Sequence, residues 1–507
     1  MSPKTSRLLP LLCLLGACAK VAQAPRQAIA SDASRFALMH ADVVDVESGG
    51  LLRDRAVVVE EGRITQVGPA DAVPDGIVPI DATGKFVIPG LWDMHVHFAD
   101  LTSGPLFVAR GVTGVRLMWS NWHFVSDAQG ATLPMPDAPG DRRHYELRDA
   151  FESGRAVGPR MHMASDIFDG PKVIWPHSVA LATADEARRA VRDARAEGAD
   201  FIKIYSLLPR EVFYAIADET RKLGMPFAGH VPESVTIAEA SEAGQKSMEH
   251  LIGLPLVLSS KADTFKQRQA EFMASNPDGA AYWKFRRLQT IEAVASHDPA
   301  RAAALFARFK ANGTWIVPTL SMLHHGAYLD DPSGLVSPED FAFVSPALRR
   351  YWDPSANPLV KGRTPEVYAA MRQLYRDYVP LVAAMQRAGV PLLAGTDESN
   401  AYILAGAGLH GELQLLVEAG LTPLEALRAA TVNPARYLAA ESEMGTVAPG
   451  KLADLVVLDA NPLESIANTR RIHAVVSRGI YYDSAALAGL RDGVRATWRS
   501  EARSDSP

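Results

Sequence analysis

His95 and His97 stand two apart in the run VIPGLWDMHVH. Side chains alternate along an extended strand, so both project to one side, and in a closed barrel that side can be the interior. Lys203 sits inside the apolar run FIKIY. An ammonium buried there is costly, so the lysine pairs, loses its proton or is modified. His230 ends MPFAGH, His250 ends KSMEH, and Asp397 ends VPLLAGTD. Singly, each has a plain structural explanation: an incidental pair, a lysine reaching for solvent, two core histidines, a helix cap. Together they form a set of imidazole and carboxylate donors that suits Zn²⁺ or a similar divalent ion with a position left for water.

Such a set needs elements that bring distant residues to one place. Residues 87–95, 111–119, 159–165, 199–205, 225–231, 246–252, 314–320 and 390–397 read as eight short strands. Helical stretches separate them, such as 183–198 with Thr183 as cap and 236–244. Strand and helix in alternation predict a parallel (β/α)8 TIM-type barrel over residues 90–439. The six donors fall at the C-terminal ends of strands one, four, five, six and eight, which open on one mouth. Two long helix-bearing connections, near 253–312 and 321–388, are expected to form a rim or lid. Residues 35–89 and 440–490 carry short strand-like runs broken by Ser48-Gly49-Gly50, Glu61-Gly62 and Pro74-Asp75-Gly76, and predict a small β-sandwich lobe built from both terminal segments.

Composition narrows the classes. The 507 residues are 48% apolar and 22% charged with 37 Gly and 34 Pro, which excludes a disordered, collagenous or coiled-coil chain. A net charge of −6 without a long basic run argues against nucleic acid as a partner, leaving small molecules. The two cysteines, Cys13 and Cys18, both precede residue 19, so neither a disulfide framework nor a cysteine zinc site is expected in the folded body. Residues 1–24 read as an export leader. Lys4 and Arg7 precede the apolar stretch 8–17, too short to span a bilayer. Leu15-Gly16-Ala17-Cys18 resembles a bacterial lipobox, with Cys18 lipid-modified as a membrane tether; the competing cut follows Ala22-Gln23-Ala24. Either reading places the mature chain in the bacterial periplasm or on a membrane facing it.

The order His95, His97, Lys203, His230, His250, Asp397 resembles the metal-dependent amidohydrolase superfamily. The segment 420–463 (GLTPLEALRAATVNPARYL…MGTVAPGKLADLVVLDANPL) is similar to that superfamily's C-terminal signature. Within it, the chain most resembles prolidase-like and imidazolonepropionase-like members, including dipeptidases and carboxypeptidases acting on N-acylated amino acids. The resemblance implies two divalent ions: His95, His97 and Asp397 on one, His230 and His250 on the other. Lys203, carboxylated by CO₂ on Nζ, would bridge them. Zinc suits these donors; iron, cobalt and manganese stay open. The implied reaction is hydrolysis of an amide (C–N) bond in a dipeptide, an N-acyl amino acid or a cyclic amide, by a hydroxide shared between the ions. Asp397 would serve as proton acceptor and then donor.

Substrate contacts are read less sharply. Tyr205, two beyond Lys203, shares its face and lies nearer the mouth, while His123 and His177 follow strands two and three as rim candidates. His162 between Met161 and Met163 reads as core, Glu412 as structural, and His324-His325 as exposed. The alternatives are a mononuclear deaminase using His230-Val-Pro-Glu233, a lactonase or phosphotriesterase on the same centre, and a non-catalytic binding lipoprotein. Lys203 argues against the first, because one ion needs no bridge. The complete donor set argues against the last.

Overall fold

The computed structural model describes residues 35–98, 102–120, 122–126, 132–136, 143–353, 355, 357, 360 and 362–504. The leader with Cys18 lies outside them, as does the side chain of His123 in the strand Trp122–Ser126. Among the described residues no helix is long and apolar enough to cross a membrane.

Both terminal segments meet in one eight-stranded, mostly antiparallel sheet. Leu455–Leu458 pairs with Phe86–Pro89 on one side and with Ile472–Ser477 on the other. At the far edge, Ile64 donates to the Lys451 carbonyl at 2.8 Å, and Gly450 donates to that of Ile64 at 2.7 Å, so the sheet curls back on itself. Period-two alternation gives each face a purpose. Phe36, Leu38, Val57, Val59, Leu455 and Val457 enclose the lobe's own apolar cluster. Their neighbours Ile88, Val456, Leu458 and Val475 pack into the barrel core.

The barrel strands are Leu91–Val96, Val112–Leu117, Arg160–Asp169, Phe201–Ile204, Phe227–Gly229, Ser247–Glu249 and Trp315–Val317, all pairing in parallel with their neighbours. Helix ends follow local chemistry. Ala184–Glu197 begins at Thr183, whose side chain caps Glu186 while Glu186 reaches back, and stops at Gly198. Ile237–Glu242 uses Thr236 and Glu239 in the same way.

Two strand expectations need correction. Residues 87–95 are two strands, because Gly90 donates to Asp454 at 2.7 Å and ends the lobe pairing before the barrel begins. Residues 390–397 form no continuous strand. Pro391 has no N–H to give a ladder, so isolated bonds close the gap instead. Leu393 bonds with Ile316 at 3.0 Å, Met94 with Ala394 at 2.8 Å, and Asp397 with His95 at 2.8 Å. Gly395 permits this closure: a Cβ there would lie 2.6 Å from Val317 Cγ1 and 2.8 Å from His95 Cβ.

Between the sixth and seventh strands run Leu254–Val257, Ala262–Ala274, Gly279–Ala295 and Pro299–Asn312. After the seventh come Leu320–Ala327, Pro338–Phe341, Pro346–Trp352 and Pro365–Ala388. Members of these helices stand over the mouth and wall a cavity of about 540 Å³.

Candidate metal centre

The strand ends deliver the donors to the cavity floor. His97 Nε2 lies 2.9 Å and His95 Nε2 3.3 Å from Asp397 Oδ1, and all three residues offer ligand atoms within 4.8 Å of one another. The His250 ring centroid is 4.6 Å from that of His95 and 5.1 Å from that of His230. Lys203 is buried beside them, its Nζ 5.9 Å from the Tyr205 ring centre. The backbone is held in an unusual shape here. His250 (φ 59°), Thr319 (φ 47°) and Asp397 (φ 61°) occupy the left-handed region, which non-glycine residues adopt at some cost and which clusters at functional sites.

Hydrogen bonds fix the tautomers. His95 Nδ1 donates to Glu249 Oε2 at 2.8 Å. Thr319 Oγ1 gives its proton to the Pro318 carbonyl, so it accepts from His250 Nδ1 at 2.7 Å. Ser206 Oγ donates to Tyr282 Oη at 2.8 Å and therefore accepts from His230 Nδ1 at 2.9 Å. In each ring Nδ1 carries the hydrogen and Nε2 keeps a lone pair, the arrangement that outer partners impose on ligating imidazoles.

Electrostatics agree. Burial holds the His97, His230 and His250 imidazoles below their usual pKa, neutral and able to ligate. Burial pushes the Asp397 carboxyl up, but His250 and His95 overcome it and hold the group well below the ordinary range. Burial also pulls Lys203 down to about 8 against the opposing pull of Glu249 and Asp397, and among the described residues its Nζ forms no ion pair. His95 Nε2 and Asp397 Oδ1 are buried without a well-formed hydrogen bond. Acceptors gathered without donors in a buried site leave space for a cation.

A second charged layer lies beneath and was missed in the sequence. Glu249 takes two bonds from Arg116 Nη2 at 2.9 and 3.0 Å and one from Ser247 at 2.6 Å. Arg116 also reaches the Met94 carbonyl at 2.6 Å and Tyr437 at 2.8 Å. Asp93 holds Thr396 Oγ1 at 2.7 Å and the His95 amide at 3.2 Å, tying the first strand to the closing segment. The signal was present: Arg116 and Glu249 are ionisable residues inside apolar strands, the same anomaly that singled out Lys203.

The weaker candidates separate. Tyr205 lines the cavity, stacks on His230 at 3.9 Å and accepts from Trp175 Nε1 at 2.8 Å. His177 is exposed and stands away from the cavity lining. His162 stacks on Phe201 at 5.3 Å. Glu412 is buried and caps the helix Leu320–Ala327, accepting from Leu320 N at 3.0 Å and from Ser321 N at 2.7 Å. His325, expected to face solvent, is instead half-buried in the cavity wall, and burial lowers its pKa to about 4. The inserted helix Leu320–Ala327 folds back over the mouth and carries it there. Glu233 is buried, accepts from Gln269 at 2.6 Å and does not line the cavity.

Known proteins fit this geometry. Ochratoxinase of Aspergillus niger is 24% identical over 488 residues, covering 86% of this chain and 84% of its own. The bottromycin amidohydrolase structure superposes with a TM-score of 0.69 at 22% identity, covering 92% of this chain and 91% of that one. A Xaa-Pro dipeptidase with bound methionine in its active site gives 0.60 at 20% identity, covering 89% and 100%. At such identities the structural likenesses speak for the fold. Residues 86–481 match the amidohydrolase family, and over most of its length this chain belongs to that metal-dependent family of hydrolases acting on carbon–nitrogen bonds.

Proposed function

We propose that the protein hydrolyses the amide bond of an N-acyl amino acid or dipeptide at a two-ion centre. The observation that carries the reading is the convergence of His97, Lys203, His230, His250 and Asp397 on one cavity floor with His95 buried against them, His95 Nε2 and Asp397 Oδ1 being buried without a well-formed hydrogen bond. His95, His97 and Asp397 would hold one divalent ion and His230 and His250 the other, with zinc matching the donors. Lys203, as a neutral amine, would add CO₂ at Nζ and release one proton, giving an anionic carbamate that would help to hold the ions. The ions, when bound, supply Lewis acidity and a nucleophilic hydroxide near neutral pH. Asp397 accepts the proton of the attacking oxygen and returns it to the departing nitrogen. Trp175, Trp283, Tyr378, Met371 and Leu374 keep bulk water from the site and suit an aromatic or aliphatic substrate group.

Metal-replete protein incubated with a panel of dipeptides and N-acyl amino acids should release free amino acid and contain about two ions per chain. Ammonia release with one ion per chain would turn the reading to a deaminase, which the position of Glu233 outside the cavity lining disfavours. The same reading puts the enzyme outside the cytoplasm, tethered through lipid-modified Cys18; Cys18→Ala should move it from the membrane to the soluble fraction.

A further inference from the structure

The cavity wall carries a charge imbalance that the centre itself does not use. Arg286, Arg287 and Arg363 line it, and apart from Asp397 of the centre no carboxylate is among its described lining residues. Divalent ions on the floor would make the chamber more positive still. A substrate entering it is therefore favoured when it carries negative charge.

The three guanidiniums differ. Arg287 is exposed at the rim. Arg363 donates to the Gly326 carbonyl at 3.1 Å and to Met371 Sδ at 3.3 Å, tying two inserted helices together. Arg286 is half-buried on Gly279–Ala295, and its hydrogen bond goes to Tyr282 Oη at 3.2 Å, a neutral partner. It forms no ion pair with any described carboxylate. Glu233 acts on it only through space, being held by Gln269. Most of the guanidinium's donors are thus left for a ligand, and this fork matches a carboxylate with two parallel bonds.

Its placement is tied to the reacting end of the cavity. Tyr282 bonds Ser206, and Ser206 bonds His230. Three hydrogen bonds in series put the Arg286 guanidinium no more than about 9 Å from a candidate ligand. That span suits a substrate whose scissile carbonyl sits on the floor while a carboxylate a few bonds away reaches the wall.

We propose that Arg286 is the specificity residue that pairs with the free α-carboxylate of the substrate, restricting cleavage to the bond that releases a C-terminal amino acid. This rests on the amide-hydrolysis reading and adds the recognised group to it.

N-benzoyl-L-phenylalanine and its C-terminal primary amide share the bond to be cut and differ only in the carboxylate. The wild-type metal-loaded enzyme should favour the acid by about 100-fold or more in kcat/KM, and Arg286→Gln should collapse that ratio towards one, chiefly through KM. Arg286→Lys should keep an intermediate preference. Metal content should be unchanged in both variants, which separates recognition from damage to the fold. Tryptophan fluorescence supplies a second readout: the acid should quench it in the wild type and do so about 100-fold more weakly in Arg286→Gln. Equal use of acid and amide by the wild type would overturn the carboxylate role while amide hydrolysis survives. Arg286-dependent binding of the acid with no cleavage of either compound would keep the anchor and sink the amide reading. An unchanged acid preference in Arg286→Gln, or no binding of the acid to the wild type, overturns the proposal.

Discussion

The strand-end floor and the inserted-helix wall meet at the same cavity but are built differently. On the floor, each donor imidazole among His95, His230 and His250 has its Nδ1 fixed by a named acceptor, and the acceptors are themselves bonded beneath. In the wall, Trp283, Met371, Leu374 and Tyr378 are placed by packing between helices that a generic barrel does not need. A floor of this kind tolerates little movement, because a displaced ligand atom leaves a buried polar group unsatisfied. A wall of this kind can change shape at modest cost. On the proposed reading, chemistry falls to one region and recognition to the other, the usual division in barrels whose loops vary.

The sharpest way to break that division is at Asp397. Asparagine keeps the volume and one oxygen but cannot take up a proton. Asp397→Asn should lower kcat by about 10³-fold or more and leave most of the bound metal in place. Elemental analysis beside kcat checks both halves. A wall substitution that lowered kcat equally would mean that the wall takes part in the reaction.

Glu412 links the regions and gives a pH signature. It caps Leu320–Ala327, the first wall helix after Thr319, whose hydroxyl orients His250. Burial pushes its carboxyl up from 4.5 to about 7, against the bonds from Ser321 and Leu320. Between those two values the folded state holds a proton that the unfolded state has released, so this group's contribution to stability falls as pH rises. Glutamine lacks the titration. The stability gap between the wild type and Glu412→Gln should therefore shrink by up to about 3 kcal/mol from pH 4.5 to 7. Denaturant unfolding at several pH values measures it. A gap independent of pH would mean that the carboxylate is ionised throughout.

Glu249→Gln tests the layer beneath the floor. The variant loses the charge that Arg116 and the His95 Nδ1 hydrogen both use. Metal affinity should fall by about 10- to 100-fold in competition with a chelator. Adding Arg116→Met removes the stranded cation and should restore stability without restoring affinity. Recovery of both would reduce Glu249 to a support of the fold.

The floor was legible because its residues break a local rule. A lysine in FIKIY and histidines at strand ends are costly in an apolar barrel unless something holds them. Glu249 and Arg116 break the same rule but cancel each other, so they carry no spacing that names a ligand. The joint at Gly90 was hidden because VIPGLWDMH is apolar throughout, and one run served two sheets. The closing segment 390–397 has the composition of a strand, yet proline and glycine leave it only scattered bonds. The wall was legible as helical sequence and no further. Which faces of Gly279–Ala295 and Pro365–Ala388 look inward depends on how the helices cross, and nothing in their periodicity encodes that.

Trp283 is the mildest test of the comparison. Its indole lines the cavity on the same helix as Arg286 and bonds to none of the candidate ligands. Replacing it with alanine removes apolar surface that an acyl or aromatic group would otherwise cover, about 1–2 kcal/mol for a partly buried ring. Since the ground and transition states lean on that surface alike, the loss should appear as a roughly ten-fold rise in KM for N-benzoyl-L-phenylalanine, with kcat nearly unchanged. A short acyl group such as acetyl should feel little of it. If Trp283→Ala lowered kcat and left KM alone, the wall would be holding the reacting bond in place, and the separation of chemistry from recognition would have to be redrawn around this helix.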